Sequence, residues 1–216
     1  MEQTLSKTRR SLLSSILVLN DVSWQTYDRL LDLLGDRGDV RLTYDRGTLE
    51  MMSSLPEHET YSWTIGRLVV ILSEELGLEI RGLKSTTWRS QVQAAGKEAD
   101  ECFYIQNEPR VRNKLNIDLS VDPPPDLAIE IDVTHSAIDK LGIYARLQVP
   151  EVWRWQAGKL TIYILENQAY RESDTSLAFA TFPVKEIEPF VRFDPQQGEN
   201  ARMRGFRDWV RSRYNG

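Results

Sequence analysis

The chain has 216 residues, 41% of them hydrophobic, which is enough for one substantial core and excludes a chain disordered throughout. With 27 Lys and Arg against 32 Asp and Glu, the net charge is −5; this excludes a globally basic nucleic-acid coat but not a local basic surface. One cysteine, Cys102, rules out a disulfide framework and a cysteine-based zinc site, and the two distant histidines, His58 and His135, leave no histidine-rich metal cage.

In chain order, Lys7, Arg9 and Arg10 precede a short apolar stretch broken by Ser11, Ser14 and Ser15, with no small-x-small cleavage site after it. Residues 1–10 therefore read as a loose tail and 11–19 as a strand or extended lead-in. No stretch reaches the roughly 20 apolar residues of a spanning helix, so a soluble, cytoplasmic protein with no membrane partner is expected. Ser23 opens an amphipathic helix carrying Tyr27, Leu30, Leu31 and Leu34, stopped by Gly35 and Gly38. Two strands follow, Val40 to Tyr44 and Thr48 to Met52, around an Asp45-Arg46-Gly47 turn.

The clearest helix starts with a capping box, Ser54 and Glu57, with Pro56 in the first turn. Tyr61, Ile65, Leu68, Val69, Leu72 and Leu76 form its apolar stripe, and Gly77 ends it. Residues 78–105 predict two or three strands turning near Gly82 and Gly96, then a polar loop to Val121 closed by three prolines. Asp126 to Val133 alternates sharply, with Leu127, Ile129, Ile131 and Val133 on one face and Asp126, Ala128, Glu130 and Asp132 on the other. Ser136 with Asp139 suggests a capped helix running to Pro150, followed by a hairpin turning at Ala157-Gly158 and a final helix from about Ala201 to Tyr214. This order predicts one α/β domain around a mixed β-sheet flanked by α-helices. The segments are 1–19, an N-terminal extension; 20–195, the domain; and 196–216, a basic C-terminal helix.

No phosphate loop, dinucleotide fingerprint, serine elbow or zinc-protease motif is present. His58-Glu59 lacks a second histidine, and Gly96-Lys97 lacks the rest of a phosphate loop. Cys102 reads as a small buried residue. Trp153, Trp155 and Tyr163 read as sheet packing rather than base-stacking platforms, and His135 as a turn residue. Arg202, Arg204, Arg207, Arg211 and Arg213 crowd one helix, which leaves phosphate contact and a solvated helix end equally open.

The informative feature is a pair of carboxylates on an otherwise aliphatic strand. Leaving Glu130 and Asp132 ionised and unpaired in an internal strand would cost several kcal/mol, which a divalent cation would offset. Asp100 falls on the face of Glu98, Cys102 and Tyr104 in a neighbouring strand, so the two strands side by side would offer hard oxygen ligands suited to Mg2+ or Mn2+. Lys140, in the helix after the acidic strand with Tyr144 one turn beyond, could reach back to the carboxylates. Acids that hold a metal and a lysine that positions water are a working set for phosphodiester hydrolysis. The opposing reading is a polar outer sheet face.

Leu49-Glu50-Met51-Met52-Ser53, Pro56-Glu57-His58-Glu59, Glu98-Ala99-Asp100-Glu101-Cys102-Phe103-Tyr104-Ile105, Pro125-Asp126-Leu127-Ala128-Ile129-Glu130-Ile131, Asp139-Lys140-Leu141-Gly142-Ile143-Tyr144 and Val149-Pro150-Glu151-Val152-Trp153-Arg154 together resemble the bacterial Uma family of candidate restriction endonucleases, within the PD-(D/E)XK nuclease superfamily. The resemblance spans roughly residues 20–170 and implies a restriction-endonuclease-like core acting on DNA with Mg2+ or Mn2+. It implies that Asp100 is the acid of the PD element, with Ala99 replacing the proline, and that Glu130 is the acid of the (D/E)XK element. Asp132 stands where that element's lysine would be, a task the resemblance assigns to Lys140. Glu59 is implied as a further acid from the first core helix, and His58 also matches a family position. Related nucleases imply a homodimer. The alternative is a non-catalytic interaction or scaffolding module that retains the nuclease fold.

Overall fold

The computed structural model describes residues 16–35, 40–53, 55–133 and 136–214. Helix α1 (Trp24–Leu34) begins where the Ser23 hydroxyl accepts the Thr26 N–H at 3.1 Å and ends at Gly35, whose φ of 52° few other residues tolerate. Gly38, expected to help stop it, lies outside the described residues. Strands β2 (Val40–Asp45) and β3 (Thr48–Ser53) form the expected hairpin, with Arg46 and Gly47 both at positive φ. Strand β1 (Ile16–Leu19), at the end of the segment read as an extension, pairs antiparallel with β3.

Helix α2 (Pro56–Glu75) carries Pro56 in its first turn, and Leu55 is its N-cap, with no side-chain cap. Ser54, expected to cap it, lies outside the described residues. Residues 78–105 hold four short strands rather than two or three: β4 (Arg81–Gly82), β5 (Thr87–Ser90), β6 (Ala95–Glu98) and β7 (Glu101–Tyr104). Gly82 and Gly96 lie within strands, not at turns. Gly96 is required by close approach, because a Cβ there would come within 2.2 Å of the Tyr27 hydroxyl oxygen.

A larger correction concerns residues 98–105. They are not one strand: the chain breaks at Ala99-Asp100 and passes from one sheet to another. Distant groups hold the break. Arg41 donates to the Ala99 carbonyl, Ser62 Oγ donates to the Asp100 carbonyl at 3.1 Å, and the Asp100 amide donates to the Ile129 carbonyl.

The expected single mixed sheet is accordingly two. With β8 (Leu127–Asp132), β9 (Glu151–Gln156), β10 (Lys159–Glu166) and β11 (Ala169–Ser173, not anticipated), the second sheet runs β11-β10-β9-β8-β7-β4. Its β8–β9 pair is parallel and its other pairs antiparallel. The first sheet, β1-β3-β2-β6-β5, is antiparallel throughout.

Helix α3 (Glu108–Val111) interrupts the predicted polar loop, and α4 (Lys140–Arg146) makes the crossover that a parallel β8–β9 pair needs. Helix α4 starts after Asp139 rather than at Ser136, whose hydroxyl is instead bound to Glu50 across the domain. Helices α5 (Glu188–Val191) and α6 (Glu199–Tyr214) close the chain. The fold is α/β, with the sheets flanked by helices. No helix among the described residues is long and apolar enough to cross a membrane.

The alternation read from β8 sets the two cores. Leu127, Ile129 and Ile131 join Trp153 and Trp155 under α2 and α6, where Met203, Phe206 and Val210 are buried. Ala128, Cys102 and Val152 face Ile143 and Tyr144 of α4. The two tryptophans thus pack the sheet as expected, and burial pushes the Cys102 thiol up to about 12.

Candidate active site

The site forms where β6 leaves the first sheet, β8 ends in the second and α4 begins. Glu130 projects from the α4 face of β8 and is only 2% exposed. Its Oε1 lies 3.0 Å from Lys97 Nζ and accepts the Tyr144 hydroxyl; its Oε2 lies 3.2 Å from Lys140 Nζ. Lys140 also donates to Asp132 Oδ1 at 2.7 Å, and Arg154 of β9 donates to Asp132 Oδ2. The lysine at the start of α4 does therefore reach back to both β8 carboxylates.

Asp100 occupies the crossover. Glu101 pairs with Ile129, which sets Asp100 beside Glu130 at the end of that ladder. Its Oδ2 accepts the Ile131 N–H at 2.6 Å and lies 3.0 Å from His58 Nε2, while Oδ1 accepts from Arg41. The same arginine binds Glu59 Oε1 at 2.9 Å, so Glu59, half exposed at the start of α2, meets Asp100 through a shared cation. Asp100 and Glu59 thus share Arg41, Glu130 and Asp132 share Lys140, and the two clusters adjoin in one network of charges in which Lys97 and Lys140 feel Asp100.

Burial alone would raise the Asp100 carboxyl, but the His58 imidazole 3.0 Å away and the Lys97 and Arg41 charges hold it well below the usual carboxylate range. Burial would likewise lower Lys140, yet Glu130, Asp100 and Asp132 hold it above an ordinary lysine. Burial and the Glu130 charge keep the Tyr144 hydroxyl protonated. For His58, desolvation opposes the charge, but Asp100 and Glu59 outweigh it and raise the imidazole to about 9. In this arrangement Lys140 is held as a cation and donates to Asp132.

Arg41, Lys97 and the role of His58 were missed in the sequence. Lys97 is 3% exposed, but a lysine in a short strand carries no signal of burial, and Gly96-Lys97 resembles only a fragment of a phosphate loop. His135 lies outside the described residues. The C-terminal arginines are largely engaged within the fold: Arg207 and Arg211 bind Glu75, Arg213 binds Glu186, and Arg202 donates to the Arg192 carbonyl.

Among the described residues, no group of three His, Cys, Asp or Glu side chains is arranged to hold a metal. The chemistry of Asp100 and Glu130 nonetheless fits Mg2+, which takes one or two carboxylates and fills its other positions with water and phosphate. Glu130 Oε2 is buried and accepts no hydrogen bond, but it faces the Lys140 ammonium at 3.2 Å, so an ion held there would share that oxygen with the lysine.

No curated protein matches the chain. The Uma2 family, described as "Putative restriction endonuclease", matches residues 24–193, a span that includes every residue of this network. The chain belongs to the Uma2 family.

Proposed function

We propose that this protein is a Mg2+- or Mn2+-dependent endonuclease that hydrolyses DNA phosphodiester bonds. The observation that carries the reading is the convergence of Lys140 on Glu130 and Asp132 beside the crossover carboxylate Asp100. Asp100 and Glu130 are the residues that would hold the ion. Bound there, it would polarise the phosphate and lower the pKa of a water molecule. Lys140, held protonated, donates to the attacking water or to a phosphate oxygen. Asp132, clamped between Lys140 and Arg154, keeps that ammonium aimed. Tyr144 and Lys97 fix the rotamer of Glu130.

One observation favours the non-catalytic alternative: protein cations already face each buried acid, Arg41 at Asp100 and Lys97 and Lys140 at Glu130. The test is plasmid cleavage with Mg2+ or Mn2+ by the wild type, Glu130→Gln and Lys140→Met. The nuclease reading expects each variant to lose about 100-fold or more in rate. Equal cutting by all three would reveal a contaminant, and no cutting by the wild type with either metal would favour the module.

A further inference from the structure

A cavity of about 580 Å3 opens between α2, the β4–β7 edge and α6. It adjoins a smaller recess of about 120 Å3 that reaches Asp100, and Trp63, Lys84 and Glu101 line both. Its wall combines an apolar floor, including Phe103, with the cations Arg67, Lys84 and Arg204. Trp63 is 47% exposed, and Arg67 and Lys84 each lie 5.7 Å from its ring centre. Glu101 is nearly buried in the wall, packed against Gly66, whose missing Cβ would lie 3.2 Å from the carboxyl. No hydrogen-bond donor among the described residues is seen on that carboxyl, which leaves an acceptor in the wall of the cavity.

An aromatic face beside cations, with one acceptor set in an apolar wall, matches the chemistry of an unstacked base followed by its phosphates. We propose that this cavity receives an unpaired nucleobase of a DNA strand whose neighbouring phosphate lies at Asp100. The base stacks on Trp63, an exocyclic amino group donates to Glu101, and the backbone runs past Lys84 and Arg204. The inference rests on the nuclease reading for the identity of the ligand as DNA. It goes beyond that reading by making a single-stranded or locally opened segment the preferred form.

The experiment uses the full chain in EDTA, so that no DNA is cut, and follows the anisotropy of a fluorescein-labelled 12-nucleotide single strand and of its duplex. The single strand is expected to bind more tightly than the duplex. Trp63→Ala should weaken single-strand binding about tenfold, and Trp63→Phe should retain most of it. Val70→Trp, which fills the cavity from a 40% exposed position on α2, should weaken it comparably. Unchanged binding in both Trp63→Ala and Val70→Trp, or no preference for the single strand, overturns the inference even if Glu130-dependent cleavage is found. Loss of single-strand binding in these variants, in a protein that cuts nothing, removes the nuclease reading and leaves the base pocket standing.

Discussion

Replacing Lys97 with Met tests whether the buried charges of the site act as one unit. Lys97 and Glu130 side chains are each 3% exposed and 3.0 Å apart, so water offers neither charge an alternative partner. Removing one member of such a pair costs about 3–5 kcal/mol, because the other charge stays buried. Glu130 would still have Lys140 at 3.2 Å and the Tyr144 hydroxyl, which puts Lys97→Met near the lower end, about 3 kcal/mol. For a chain of this length that is a fall in Tm of roughly 6–12 °C. Glu130→Gln should cost about 2 kcal/mol, since it strands two lysines, although Lys140 keeps Asp132 and Lys97 keeps the Glu98 carbonyl. The double variant should be less destabilised than the two singles together, by about 1–3 kcal/mol. Urea unfolding followed by fluorescence of the buried Trp153 and Trp155 gives all the corners of the cycle. Additivity within about 0.5 kcal/mol would refute the coupling and the idea that Lys97 neutralises Glu130.

Three other outcomes follow from the same geometry. Gly96→Ala drives a Cβ into the phenol of Tyr27, which is fully buried and stacked on Tyr44 at 4.8 Å; a loss of about 2–3 kcal/mol is expected in thermal unfolding followed by circular dichroism. His58 is raised from its ordinary 6.5 to about 9, so the folded state holds its proton more tightly than the unfolded chain. Its stabilising contribution is complete below about pH 6.5 and lost as the pH rises through 9; the wild type should therefore lose stability across that window, and a His58→Gln variant should lose less. Glu50 accepts Ser136 Oγ at 2.9 Å and the Ala137 N–H at 2.8 Å, tying the segment before Lys140 to the first sheet. Glu50→Ala should speed hydrogen exchange at the Ala137 amide and cost about 1–3 kcal/mol, and unchanged exchange would show that the tie does not hold that segment.

What could be read in the sequence was whatever a single segment determines. The β8 alternation needed only its own residues: a strand with aliphatic groups on one face must put Glu130 and Asp132 on the other, and a helix beginning ten residues on returns Lys140 to that end. The hairpins at Arg46-Gly47 and Ala157-Gly158 were legible for the same reason, since the turn residues that accept positive φ lie between the strands they join. The crossover at Ala99-Asp100 was not. Glu98, Asp100, Cys102 and Tyr104 keep a strand's alternation straight through the break, because each sheet imposes the same period on its own half. The break itself is held by Arg41, Ser62 and the amide of Ile131, which are 59, 38 and 31 residues away from Asp100. The cations behave alike. A carboxylate on an apolar strand is conspicuous locally, but Lys97 and Arg41 look like ordinary polar residues of short strands until the acids they neutralise are brought against them. The acids could therefore be named from one segment each, whereas the charge balance that lets them be buried emerges only when β2, β6, α2 and α4 close around them.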